Sequence, residues 1–150
     1  MENSEIIKIG CQLQKKEIYE FLVKCNGLFV KKLSSIVDLK TYSEKLSNNS
    51  RQICYYIEDE LIGMWVLYVN DLKDKTAFIP IICVLEQYHK RGIGGKLYKE
   101  AAKYVKKMGF NSFMLEVYRS DDRARAIYQS FGFKIIEKRK DKLILKNMIE

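Results

Sequence analysis

The sequence holds one proline, one histidine and four cysteines in 150 residues. A single histidine, His89, excludes any multi-histidine metal site. A Ser-His-Asp triad would have to use it, and nothing nearby resembles a nucleophile elbow. Cys11, Cys25, Cys54 and Cys83 are far apart and form no C-x-x-C pair, so neither a zinc site nor a redox motif is indicated. They read as reduced, buried thiols. No apolar run approaches the ~20 residues needed to cross a bilayer. The opening Met-Glu-Asn-Ser-Glu lacks the basic start and apolar stretch of a secretion signal. The expectation is a cytoplasmic protein with no membrane association and no removed segment. Repeats, low-complexity tracts and Gly/Ser/Pro-rich linkers are missing too, which suits one domain over residues 1–150.

What is present is a globular composition, 47% hydrophobic and 31% charged. The net charge is +8, and its placement is uneven. Residues 1–85 carry 11 basic and 11 acidic side chains, and residues 86–150 carry 16 basic and 8 acidic ones. A basic second half implies a polyanionic partner: nucleic acid, an anionic membrane, or a multiply phosphorylated small molecule.

Periodicity predicts a helix over residues 12–25, stopped by Asn26-Gly27, and a second from about Asp38, its N-cap, to Asn48-Asn49-Ser50. Residues 52–57 and 61–69 read as a hairpin about Glu58-Asp59-Glu60. After a polar turn at 70–75, residues 76–85 form a third strand. It is apolar almost throughout, so both of its faces should be covered. Pro80 removes a donor there and suggests a bulge. A helix follows from about Gly95 to Met108, with Leu97, Ala101, Tyr104, Val105 and Met108 on one stripe and Gly109 beyond its end. Then come a strand over 111–118, a short helix capped by Asp121 or Asp122, and a final hairpin, 134–138 with 142–148. Residues 6–9 make a poor strand candidate, and the start of the chain reads as irregular or helical. The sum is an α+β layout with a mixed, mostly antiparallel sheet flanked by helices.

A strand therefore feeds a glycine-rich turn at a helix start: His89-Lys90-Arg91-Gly92-Ile93-Gly94-Gly95. Free N–H groups and the positive dipole end there suit a phosphate, and the glycines permit close backbone approach. There is no G-x-x-x-x-G-K-[ST] loop, and a dinucleotide fingerprint is not met. Further on comes Asp121-Asp122-Arg123-Ala124-Arg125-Ala126-Ile127-Tyr128, then Gly132-Phe133.

These two segments, in this order, resemble the GNAT (Gcn5-related) N-acetyltransferase family. Its acyl-carrier motif, R/Q-x-x-G-x-G/A, matches His89 to Gly94. Its second motif, N-x-x-A-x-x-x-Y-x-x-x-G-F, matches Asp121 to Phe133. His89 stands where arginine or glutamine is usual, and Asp121 where asparagine is usual. The resemblance implies the acyl-CoA N-acyltransferase fold and transfer of acetyl from acetyl-CoA, without a metal, to a primary amine. It implies that pantetheine pairs with Ile82, Cys83 and Val84 by strand addition. The pyrophosphate would rest on the amides of Lys90, Arg91, Gly92, Ile93, Gly94 and Gly95, beside His89 and Asp121. Tyr128 takes the position of the acid that protonates the departing thiolate. Glu116 is the candidate general base, because members that acetylate ribosomal-protein N-termini carry a similar L-E-V segment; a water relay is its rival.

The acceptor groove is expected from the first half. Residues 26–39 could form a lid, and Tyr55, Tyr56, Trp65 and Tyr68 could line the groove. The Leu-Ser-x-x-Val-Asp-Leu stretch is similar to bacterial members associated with amino-sugar synthesis, so the expected acceptor is a small-molecule amine. The alternatives are a protein N-terminal acetyltransferase and a non-catalytic acyl-CoA or nucleic-acid binding module. No nucleic-acid motif is recognisable, so no nucleic-acid partner is expected. A homodimer is left open.

Overall fold

The computed structural model describes residues 4–70 and 72–150. The first three residues of the N-terminal reading, and Asp71 of the turn at 70–75, lie outside the described residues. One seven-stranded sheet runs in the order β1-β2-β3-β4-β5-β7-β6. Its strands are β1 (Glu5–Cys11), β2 (Arg51–Ile57), β3 (Glu60–Tyr68), β4 (Thr76–Val84), β5 (Ser112–Tyr118), β6 (Lys134–Lys138) and β7 (Lys142–Met148). The flanking helices are α1 (Lys15–Cys25), α2 (Leu39–Asn49), α3 (Ile93–Lys107) and α4 (Asp122–Ser130). Every neighbouring pair is antiparallel except β4 with β5. This is the mixed, mostly antiparallel α+β architecture expected.

The start of the chain differs from expectation. It forms β1, paired to β2 from Glu5↔Ile57 to Cys11↔Gln52 with a register slip between Lys8 and Cys11. An edge strand needs little burial, and Ile6 and Ile9 remain 47% and 48% exposed, so hydrophobic patterning alone does not mark it. The β2–β3 turn uses Glu58 and Asp59 at φ 49° and 68°, the left-handed pair that matches the twist of a tight hairpin.

β4 also departs from the reading. Its sequence is apolar throughout, yet burial alternates: Ala77, Ile79, Ile81 and Cys83 are buried, while Phe78, Pro80, Ile82 and Val84 are half-exposed. The second set lines cavities instead of core. At Pro80 the expected bulge is found, as a register shift against β3 between Val66↔Ile81 and Tyr68↔Phe78. Pairing of β4 with β5 stops at Phe78↔Met114. Proline two residues later offers no N–H to continue it, and the strands part into a wedge.

Helix α3 fixes the mouth of that wedge. Leu97, Ala101 and Val105 are buried on its inward stripe. A Cβ on Gly63 of β3 would lie 3.2 Å from Leu97 Cδ1 and 3.5 Å from Ile93 Cγ2, so glycine lets the first turns of α3 sit close on the sheet. Asn147 of β7 donates through Nδ2 to the Tyr98 hydroxyl (2.7 Å) and to the Phe131 carbonyl (3.0 Å), while Tyr98 and Phe131 stack at 4.7 Å. These contacts tie the end of α4 to α3. Among the described residues no helix is long and apolar enough to cross a membrane.

Candidate active site

The β4–α3 connection builds the first half of the site. A short 3₁₀ turn, Glu86–Tyr88, precedes Lys90 at φ 63° and Gly92 at φ 75°. Gly92 is the N-cap of α3, so the helix starts at Ile93, two residues earlier than periodicity suggests. The Gly92 carbonyl accepts from Lys96 N, and the N–H groups of the first turn have no carbonyl within the helix to reach. Nothing lies within 4 Å of where a Cβ would stand on Gly92, Gly94 or Gly95. Packing therefore does not require glycine at these positions. The space left bare over the amides suits a ligand phosphate, and the residues present fit the diphosphate of coenzyme A.

A cavity of about 290 Å³ opens over this turn. Of the expected cofactor residues, Ile82, Cys83, Val84, His89, Lys90, Gly92, Ile93, Gly94 and Asp121 line it. Arg91 and Gly95 flank it, with the Arg91 guanidinium 5.1 Å from the centre of the Tyr88 ring. The backbone N–H of Leu85 bonds to Ile62 on β3. Strand alternation then turns the backbone groups of Val84 and Ile82 to the open side and those of Cys83 to β3. The Val84 carbonyl accepts from His89 Nε2 at 2.6 Å. His89 Nδ1, left as an acceptor, lies 3.4 Å from the Arg123 guanidinium of α4. Arg123 also lines this cavity, and sequence reasoning missed it; its place between Asp121 and Ala124 was the available signal.

The second half is a cavity of about 390 Å³ in the wedge between β4 and β5. It is roofed by the stretch from Phe29 to Val37, matching the expected lid, and by Tyr42 and Lys45 of α2. Ile82, Asp121, Ala124, Tyr128 and Phe29 line both cavities, so the two meet there. Asp121 accepts from Ala124 N at 3.1 Å and caps α4. The Tyr128 ring packs edge-on to Phe133 at 5.9 Å, and the Phe133 N–H bonds to the Tyr128 carbonyl. Burial, the nearby Asp121 carboxylate and Cys83 together push the Tyr128 phenol well above its ordinary value. The phenol therefore keeps its proton across the physiological range.

Glu116 lies in the second cavity, between buried Leu115 and Val117 and turned from them as strand alternation requires. Its carboxylate is 3.5 Å from both Arg139 and Lys142. The four aromatic candidates disperse. Tyr68 lines the wedge cavity, and the buried Trp65 lines the other. Tyr55 donates to Glu5 at 2.7 Å, and Tyr56 borders a separate cavity near Glu17 and Glu58. Strand alternation and a bulge between Tyr55 and Tyr56 separate these neighbours.

The family model described as the acetyltransferase (GNAT) family matches residues 16–133. The chain is 27% identical over 119 residues to N-alpha-acetyltransferase 50 of Danio rerio, covering 75% of this chain and 71% of that protein. It is 32% identical over 88 residues to an uncharacterized N-acetyltransferase, CgeE, of Bacillus subtilis (strain 168), covering 57% of this chain and 33% of that protein. Among solved structures, the fold matches the PaiA N-acetyltransferase of Thermoplasma acidophilum in complex with coenzyme A. The TM-score is 0.77 at 20% identity, over 97% of this chain and 99% of that one. It also matches the ribosomal-protein-S18-alanine N-acetyltransferase of Escherichia coli, with a TM-score of 0.73 at 18% identity over 98% and 95% of the two chains.

Proposed function

This chain belongs to the GNAT family and is an acetyl-CoA-dependent N-acetyltransferase, and we propose that its acceptor is the primary amine of a small molecule. The observation that carries this reading is the meeting of the two cavities at Tyr128. One has bare helix-start amides for a diphosphate. The other is bordered by the segment 29–37, and its volume of about 390 Å³ lies in the range of small-ligand sites.

Acetyl-CoA supplies the acyl group already activated as a thioester. The amides about Gly92, Gly94 and Gly95 hold its diphosphate, with Lys90, Arg91 and Arg123 adding cationic charge. The open backbone edge of β4, at Ile82 and the Val84 N–H, aligns the arm by strand addition. The wedge cavity presents the acceptor nitrogen to the carbonyl carbon. As the C–N bond forms and the C–S bond breaks, Tyr128 gives its hydroxyl proton to the leaving sulfur. Glu116, directly or through water, takes the proton lost by the nitrogen.

A second reading, acetylation of a protein N-terminus, is favoured by the similarity to the Danio rerio enzyme. Amine-dependent thiol release from acetyl-CoA separates the two. Small amines and amino sugars are expected to be turned over in preference to peptides with free N-termini. The reverse ranking would replace the first reading with the second. Failure of the protein to bind acetyl-CoA in calorimetry would overturn both.

A further inference from the structure

Tyr118 ends β5 at the rim of the wedge cavity, and two ammonium groups converge on its ring. Lys31 Nζ, from the roof segment, is 4.9 Å from the ring centre, and Lys142 Nζ, from the start of β7, is 5.3 Å from it. Lys31, Lys142 and Tyr118 all line the cavity, as does Lys45 of α2. Like charges do not gather on one ring without cause, since each raises the cost of placing the other. The acids at hand do not balance them. Glu116 is divided between Lys142 and Arg139, and among the described residues Asp121, on the same cavity, makes no ion pair with Lys31, Lys45 or Lys142. Among the described residues neither Lys31 nor Lys45 has a carboxylate within ion-pair distance. The remaining wall is apolar, with Val30, Leu33, Val37, Phe78 and Pro80 facing the same space.

We infer that the acceptor is an amine carrying an anionic group, carboxylate or phosphate type, on an apolar body, and that this group seats between Lys31 and Lys142 against Tyr118. The inference rests on the acetyl-transfer reading above and names its substrate class. An anion placed there meets Lys31, which has no carboxylate partner among the described residues, and Lys142, whose partner Glu116 is shared with Arg139, while the apolar body fills the wedge and the amine reaches Tyr128. A polyamine would meet Lys31, Lys45 and Lys142 as like charges and is disfavoured.

The test is thiol release from acetyl-CoA by the whole protein with matched amines. Phenylalanine and leucine are set against their decarboxylated twins, 2-phenylethylamine and isoamylamine. The phosphonate analogue of phenylalanine distinguishes the two anion types, and spermidine represents polycations. At least one anionic member should exceed its twin in kcat/KM by tenfold or more. In Lys31→Ala and in Lys142→Ala that ratio should fall towards one, and Lys31→Arg should keep it. The inference is overturned if the twins or spermidine are the better acceptors, or if the ratio survives both alanine variants. It is also overturned if no anionic amine is turned over by protein that binds acetyl-CoA in calorimetry. Loss of acetyl-CoA binding by the unmodified protein would instead sink the transfer reading on which the inference stands.

Discussion

The His89 ring donates its Nε2 proton to the carbonyl of Val84 across 2.6 Å, and so fastens the glycine-rich turn to the open edge of β4. The same bond leaves Nδ1 as an acceptor for Arg123. The residue in the place of the family's arginine or glutamine thus contacts a cation on α4. Replacing His89 by alanine frees the Val84 carbonyl and releases Arg123. Acetyl-CoA KM should rise by about tenfold, roughly one charge-assisted hydrogen bond, with a smaller change in kcat. Initial rates at varied acetyl-CoA check this, and an unchanged KM would remove His89 from cofactor binding.

Tyr128→Phe keeps the ring against Phe133 and deletes only the hydroxyl. We expect kcat to fall by about 10²-fold or more, the usual size of a lost general acid, with acetyl-CoA affinity nearly intact. The sign of the pH dependence follows from the raised phenol value. The hydroxyl must be protonated to act, so its activity is present at neutral pH and lost only as pH climbs above the ordinary phenol range near 10. An alkaline limb below that range would have to belong to another group.

Asp121→Asn tests the carboxylate that adds to that rise. Asparagine caps a helix about as well as aspartate, so α4 should persist. Removing the charge lowers the Tyr128 phenol value and moves its alkaline limb to lower pH. The diphosphate also meets one negative charge fewer, and acetyl-CoA KM should fall severalfold. A pH–rate profile beside a KM series reads both effects.

Glu116→Gln keeps the side-chain length and withdraws the proton acceptor. If Glu116 is the base, kcat drops by about 10²-fold and the acidic limb of the profile flattens. An acidic limb that persists unaltered assigns deprotonation to the water relay.

Gly63→Val places a Cβ 3.2 Å from Leu97 Cδ1 and 3.5 Å from Ile93 Cγ2, and its two methyl groups must then find space among the same side chains. Overpacking of this kind costs about 1–3 kcal/mol, measurable by urea unfolding. Because the displaced element is the first turn of α3, acetyl-CoA KM should rise with it.

The parts of the fold visible in the sequence are those whose pattern has a local cause. The α3 stripe of Leu97, Ala101 and Val105, the Asp38 cap and the Gly92 turn each follow from a few adjacent residues. β4 and its bulge at Pro80 are legible, but not the half-exposure of its second face, because an apolar side chain facing a cavity looks the same, in sequence, as one facing the core. Phe78, Pro80, Ile82 and Val84 are half-exposed and line cavities. β1 escaped notice because an edge strand needs little hydrophobic patterning. Lys31 and Lys142 lie far apart in the chain; the pairing of β7 with β5 sets Lys142 opposite Tyr118, and the 29–37 segment brings Lys31 to the same ring.

Both margins of the sheet are out of step. The pairing of β1 slips between Lys8 and Cys11, and that of β6 slips between Ile135 and Glu137. A kinked, lysine-bearing margin offers a poor template for another chain to zip onto, which blunts the two open edges of the seven-stranded sheet.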